Sequence, residues 1–182
     1  ITPIGNNLKE YWSALTEGVS GAGPITLFDS TNFKTKFACE VKGFDPTEHI
    51  DRKQARKLDR FCQFAVIVAD EAFKDSGLSV DKINGDRAGV IWGSGIGGMS
   101  TFYSESVNFG TGNGVPRFNP FFIPKLISDI PAGHISIRYG FRGPNFTTVS
   151  ACASSTHALI DAYNNIKWNK ADIFITGGSE AC

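Results

Sequence analysis

The chain has 182 residues, 41% hydrophobic and 20% charged, with 18 Lys+Arg balanced by 18 Asp+Glu. At roughly 150 residues per domain this is one domain, 1–182, long enough to bury a substantial core. Zero formal charge excludes a globally basic nucleic-acid binder and an acidic tail protein, and no apolar run approaches the roughly 18 residues of a membrane span.

Asn7 is placed to cap a helix over 7–17, with Leu8, Trp12 and Leu15 on one face and Gly18 ending it. Residues 21–30 are turn-rich, 36–41 read as a short strand, and Asp45-Pro46 opens a helical turn. The strongest helical pattern spans 52–76 and stops at Gly77. Its apolar residues Leu58, Phe61, Cys62, Ala65, Ala69, Ala72 and Phe73 recur at spacings of three and four, which puts Cys62 in the core. Residues 87–92 form a buried-type strand that runs into Gly93-Ser94-Gly95-Ile96-Gly97-Gly98. A helix over 99–107, a loop over 108–119 and a helix over 124–139, kinked by Pro131, come next. A strand over 145–150, a helix over 152–168 and a strand over 172–176 complete the chain. Strands alternating with helices predict an α/β fold with a largely parallel sheet.

The four cysteines, Cys39, Cys62, Cys152 and Cys182, show neither CxxC nor metal-ligand spacing. They read as reduced thiols of a cytoplasmic protein, and no metal or cofactor is expected. The opening ITPIGNNLKEYW lacks the basic-then-apolar pattern of a secretory leader. Thr2-Pro3-Ile4-Gly5 reads as a turn that follows something, and the last residues read as a strand with nothing after it, so the chain is expected to be a piece of a longer protein.

Cys152 stands at a strand-to-helix turn. A cysteine at a helix start faces unpaired backbone N–H groups and the positive end of the dipole, which favour thiolate. Its neighbours Ala151, Ala153, Ser154 and Ser155 are small, leaving room for a substrate. The residue reads either as a nucleophile or as an inert cysteine at a joint. His157 follows on the same helix but about 140° around the axis, so it points away from the thiol and reads as structural. His49 and His134 have no partner near in sequence. The Gly93–Gly98 run matches G-x-G-x-x-G after a strand. The acidic residue that a dinucleotide site needs about 20 positions later is missing. Arg52, Lys53, Arg56 and Lys57 form a basic cluster on one side of the 52–76 helix: a solvated face, or a dock for an acidic partner.

Several motifs occur in order: the Gly93–Gly98 turn, Pro120-Phe121-Phe122-Ile123-Pro124, Ala132-Gly133-His134, 139–144 (YGFRGP), the Cys152 elbow and Gly177-Gly178-Ser179-Glu180. Over essentially the whole chain the set resembles the N-terminal part of a β-ketoacyl-acyl carrier protein synthase. The likeness is nearest to the elongating type II enzyme of fatty acid synthesis. The resemblance implies a thiolase-like fold with only its N-terminal half and without its first strand, in a family of homodimers. It implies that Cys152 takes an acyl chain from acyl carrier protein as a thioester. Malonyl-carrier protein then loses carbon dioxide, and its carbanion attacks the thioester. By the same likeness Ile96 and Phe122 line the acyl pocket, Phe122 from across the dimer. Lys53, Arg56 and Lys57 dock the carrier protein, and the Cys152 N–H is one oxyanion donor. The family's catalytic histidines, its lysine and its second oxyanion donor belong to a C-terminal half whose motifs are absent, so the chain alone is expected not to condense. Alternatives are a polyketide or primer-length ketosynthase and, more remotely, a nicotinamide-dependent oxidoreductase or a non-catalytic carrier-binding module. No nucleic acid or membrane partner is expected.

Overall fold

A computed structural model describes residues 1–112 and 117–181, which fall into two units, Ile1–Asp45 and Pro46–Cys182. Cys182 and positions 113–116 of the expected 108–119 loop lie outside the described residues.

In the first unit, helix α1 (Leu8–Thr16) begins as the sequence predicts. The Asn7 side chain accepts the Glu10 N–H at 3.0 Å, and Gly18, at φ +70°, follows its end. Strands β1 (Gly23–Pro24) and β2 (Phe37–Ala38) pair antiparallel over two residues each, less than the expected 36–41. Pro24 has no N–H for a ladder. Just beyond it the Glu40 carboxylate takes the Thr26 N–H at 3.0 Å and the Leu27 N–H at 3.2 Å, so a side chain satisfies donors that a longer strand would have paired.

The second unit contains α2 (Arg52–Ala55), α3 (Arg60–Asp75), β3 (Ala88–Gly93), α4 (Met99–Thr111), α5 (Phe122–Leu126), α6 (Ile130–Tyr139), β4 (Asn145–Thr148), α7 (Ser154–Lys167) and β5 (Ile173–Gly178). The strands form a parallel sheet in the order β4-β3-β5, with Val90 opposite Asn145 and Ala88 opposite Ile173. β3 is buried along its whole length, as its uninterrupted apolar run predicts. Its Ala88, Val90 and Trp92 pack with Ala65 and Ala69 of α3 and Ala132 and Ile135 of α6. Ile91 points to the other face, against Ala158 and Ala162 of α7. The result is three layers, helix on sheet on helix, around one central strand.

Three of the helices expected before β4 differ. The 52–76 helix is two helices. The buried Asp59 interrupts it by capping α3 through the Phe61 N–H and by accepting the Thr101 N–H at 3.1 Å and hydroxyl at 2.5 Å. The 124–139 helix is also two, α5 and α6. Pro131 kinks nothing: it lies in the first turn of α6, where its missing N–H has no helical partner to lose. α4 runs past 107 to Thr111, with the Phe109 ring stacked on Phe118 at 5.2 Å.

Cys62 is fully buried in α3, and burial, helped by Asp59, pushes its thiol up to about 12. Burial thus keeps Cys62 as the unreactive thiol near neutral pH. A thiol reagent is therefore expected to label the exposed Cys39 and Cys152 in the native protein, and Cys62 only after unfolding. Peptide mass mapping of the labelled cysteines checks this.

Candidate active site

The sheet's C-terminal edge carries the site, and the glycines there explain how the chain can pass. A Cβ on Gly93 would collide with the Ser154 carbonyl and the Ser155 amide, and one on Gly178 would meet the Ser155 Cβ at 2.6 Å. The start of α7 therefore sits directly on the ends of β3 and β5.

Between β4 and α7 the chain turns through Val149 to Ala153. Ala151 holds a left-handed backbone, φ +51°, which costs a residue with a Cβ about 1–2 kcal/mol. Ser154, 3% exposed, stabilises the turn. Its hydroxyl donates to the Ala151 carbonyl at 2.6 Å and accepts the Ser150 N–H at 2.9 Å, while Thr148 Oγ1 donates to the Ser154 carbonyl at 2.7 Å. These bonds end β4 at Thr148, two residues short of the expected strand. α7 begins at Ser154 with Ala153 as its cap, so Cys152 stands just ahead of the helix and not in its first turn. The thiol is exposed at the tip of this elbow. Ser154, expected to be open space beside it, is instead the elbow's buried clamp.

His157 reaches back to the elbow, its Nδ1 2.6 Å from Ser150 Oγ. His134, half-buried in α6, has its pKa lowered by burial, and His49 is exposed.

The Gly93–Gly98 turn lies against the elbow: a Cβ on Gly95 would stand 3.4 Å from the Ala151 Cα. Its amides already hold an anion, the carboxylate of Glu180, which accepts from Gly95 at 2.6 Å, Ile96 at 3.0 Å and Gly97 at 3.3 Å. The N–H groups that a dinucleotide pyrophosphate would need are thus committed within the chain. Ile96 rides on this turn, half exposed. The Gly98 N–H donates to the Leu126 carbonyl at 2.9 Å and so joins the turn to α5. Phe122 opens α5, its ring stacked between Phe118 at 5.4 Å and Phe102 at 6.4 Å. Lys57 Nζ lies 5.3 Å over the Phe121 ring. Lys57 is thus joined to the start of α5 through Phe121, and the end of α5 to the glycine turn through Leu126.

The cluster itself is not on one continuous helix face. Arg52 and Lys53 are in α2, Arg56 caps its end, and Lys57 lies in the turn before Asp59. All four side chains remain exposed. Sequence reasoning missed Ser154, Glu180 and Asp59 as organisers. The available signal was the count of backbone N–H groups in turns, each of which needs an acceptor. Among the described residues no three His, Cys, Asp or Glu side chains stand together to hold a metal ion, and no helix is long and apolar enough to cross a membrane.

Residues 1–182 match the family described as beta-ketoacyl synthase, N-terminal domain. The chain is similar to a 3-oxoacyl-acyl-carrier-protein synthase 2 of Synechocystis sp., 42% identical over 181 residues that cover 100% of this chain and 43% of the relative. A Staphylococcus aureus protein of the same name is 42% identical and 45% covered. Among solved structures, the ishigamide ketosynthase/chain length factor superposes with a TM-score of 0.87 at 28% identity, over 100% of this chain and 45% of that one. The chain thus spans less than half the length of these relatives. The fold is the thiolase-like one expected from the sequence.

Replacing Ser154 by Ala leaves the partly buried Ser150 N–H without its acceptor. The Ser154→Ala change is expected to destabilise the fold by about 2 kcal/mol, read as a lower urea midpoint with an unchanged slope.

Proposed function

The chain belongs to the β-ketoacyl synthase family, as its N-terminal domain, and on that premise we propose that it carries the acyl-accepting nucleophile of a β-ketoacyl-acyl carrier protein synthase of fatty acid elongation. The observation that carries the reading is an exposed cysteine on a clamped, left-handed elbow at the end of a parallel sheet. A strained turn of this kind presents a side chain outward with little freedom to retreat.

In the proposed reaction the Cys152 thiolate attacks the acyl thioester of acyl carrier protein. A carbon–sulfur bond forms to Cys152 Sγ, the bond to the carrier's sulfur breaks, and the carrier leaves as a thiolate that takes up the proton Cys152 had given up. Malonyl-carrier protein then loses carbon dioxide. The electron pair left on its carbon forms the new carbon–carbon bond, and Cys152 leaves as thiolate with a 3-ketoacyl product two carbons longer. Each transfer passes through an oxyanion, for which the Cys152 N–H is one proposed donor. Ile96, beside the elbow, and Phe122 are the proposed walls for the acyl chain. Lys53, Arg56 and Lys57 are the proposed dock for the acidic carrier, which the relatives' names also include.

The proposed enzyme is a cytoplasmic homodimer. In support, β4 pairs with β3 on one edge only among the described residues. Beside its free edge, Ile127, Phe146 and Val149 line an open groove of about 530 Å³, and Val149 is 62% exposed. Phe122 would reach the second subunit's pocket. Identity to the acyl-carrier-protein synthases, at 42%, exceeds that to the ishigamide ketosynthase, at 28%, and favours fatty acid over polyketide elongation.

The deciding experiment adds acyl-loaded carrier protein to the full-length protein and measures intact mass. A gain of one acyl group, mapped to Cys152 and lost in Cys152→Ala, is expected; no adduct would sink the reading. Reversing Lys53, Arg56 and Lys57 to Glu is expected to raise KM for the carrier about tenfold or more at low salt, and less at high salt. An unchanged KM removes these residues from the dock.

A further inference from the structure

We propose that Glu180 is a positioning residue that sets where Ile96 stands relative to Cys152, and thereby which acyl lengths are accepted. The acyl-length part rests on the acyl-transfer reading above. Three successive N–H groups pointing one way form a concave site for an anion. Here the anion is supplied from the end of the neighbouring strand. One oxygen of Glu180 takes Gly95 and Ile96 at 2.6 and 3.0 Å, and the other takes Gly97 at 3.3 Å. Bonds to a carboxylate are about twice as strong as neutral ones.

The carboxylate is itself anchored. The Ser179 N–H donates to the Gly93 carbonyl at 3.0 Å, and Trp92 Nε1 donates to Ser179 Oγ at 2.9 Å. Packing buries Ser94, Gly97 and Gly98 at the ends of the turn but leaves Ile96 51% exposed, so the carboxylate is what holds its middle. The turn is confined on both sides, by Ala151 of the elbow and by the Leu126 carbonyl at the end of α5. A change in the Glu180 contacts is therefore expected to shift Ile96, whose N–H is one of the three that the carboxylate holds. Glu180 does not touch the reacting atoms, so it acts through Ile96.

The test uses the full-length protein with E180Q, which keeps the shape but removes the charge and one acceptor. Hydrogen exchange at 94–98 is expected to quicken about tenfold, with a smaller rise at 150–153. Single-turnover acylation of Cys152 is then followed across carrier-bound acyl chains of increasing length. The rate ratio between the preferred chain and one four carbons longer is expected to change about fivefold. Unchanged exchange at 94–98 overturns the clamp. Equal slowing at every length overturns the specificity role, because a merely structural loss scales all substrates alike. If E180Q does not fold, E180D, which keeps the charge one methylene further back, carries the same comparison. Wild-type protein that accepts no acyl group overturns the acyl-transfer reading and the length role with it, while the exchange result still decides the clamp.

Discussion

A helix can start directly on the ends of two strands only if those strands leave room for its backbone. Gly93 and Gly178 leave that room, and the first turn of α7 fills it. The elbow's geometry follows from this contact. With α7 held so close to the sheet, the few residues after Thr148 must reverse sharply, which puts Ala151 into its left-handed conformation and leaves Cys152 at the tip. The strain is confined because Ser154 bonds both sides of the turn from a buried position. Hydrogen bonds sheltered from water hold geometry better than exposed ones, since there is no solvent to exchange with.

The same economy recurs around the site. The chain's formal charge sums to zero, yet its carboxylates and cations do different work. Asp59 and Glu180, and Glu40 within the first unit, accept backbone N–H groups that no strand or helix satisfies. Lys53, Arg56 and Lys57 stay in water. Acids that serve as local acceptors leave the basic cluster uncompensated at the surface, which suits docking of an acidic partner. Other pairs tie the sheet's opposite end: Arg87 donates to Asp172 at the starts of β3 and β5, and Arg142 to Asp86. These exposed pairs draw the Asp172 and Asp86 pKa values down through hydrogen bonds to their arginines. What they stabilise is present above the usual carboxylate range and is lost as pH falls through the lowered values.

Much of the architecture was legible because it rests on local patterns. The AGVIW run could only be a strand buried on both faces, and the apolar stripe of α3 needed a sheet to cover it. Asn7 and Gly18 marked the ends of α1 by backbone chemistry alone. The misreadings share one cause. Asp59 sits inside a helical pattern that period and propensity carry straight through, and only Thr101, 42 residues away, makes its carboxylate worth burying. Pro131 looked like a kink because the break at 127–129, which makes it a helix start, carries no strong local signal. Ser154 and Glu180 looked like small and polar residues near a motif, since neither finds its partners within a helix or strand period.

The sequence by itself determined the parallel α/β layering, the family, and Cys152 as the candidate nucleophile. Those depend on residue type, order and spacing along the chain. It took the folded chain to show that Glu180 closes the glycine turn against a phosphate, that Cys152 precedes its helix, and that Gly95 lies against the elbow. The physical reason is that hydrogen-bond acceptors are chosen by distance in space. The residues that satisfy a turn's N–H groups can be more than 80 positions away, where no periodicity reaches.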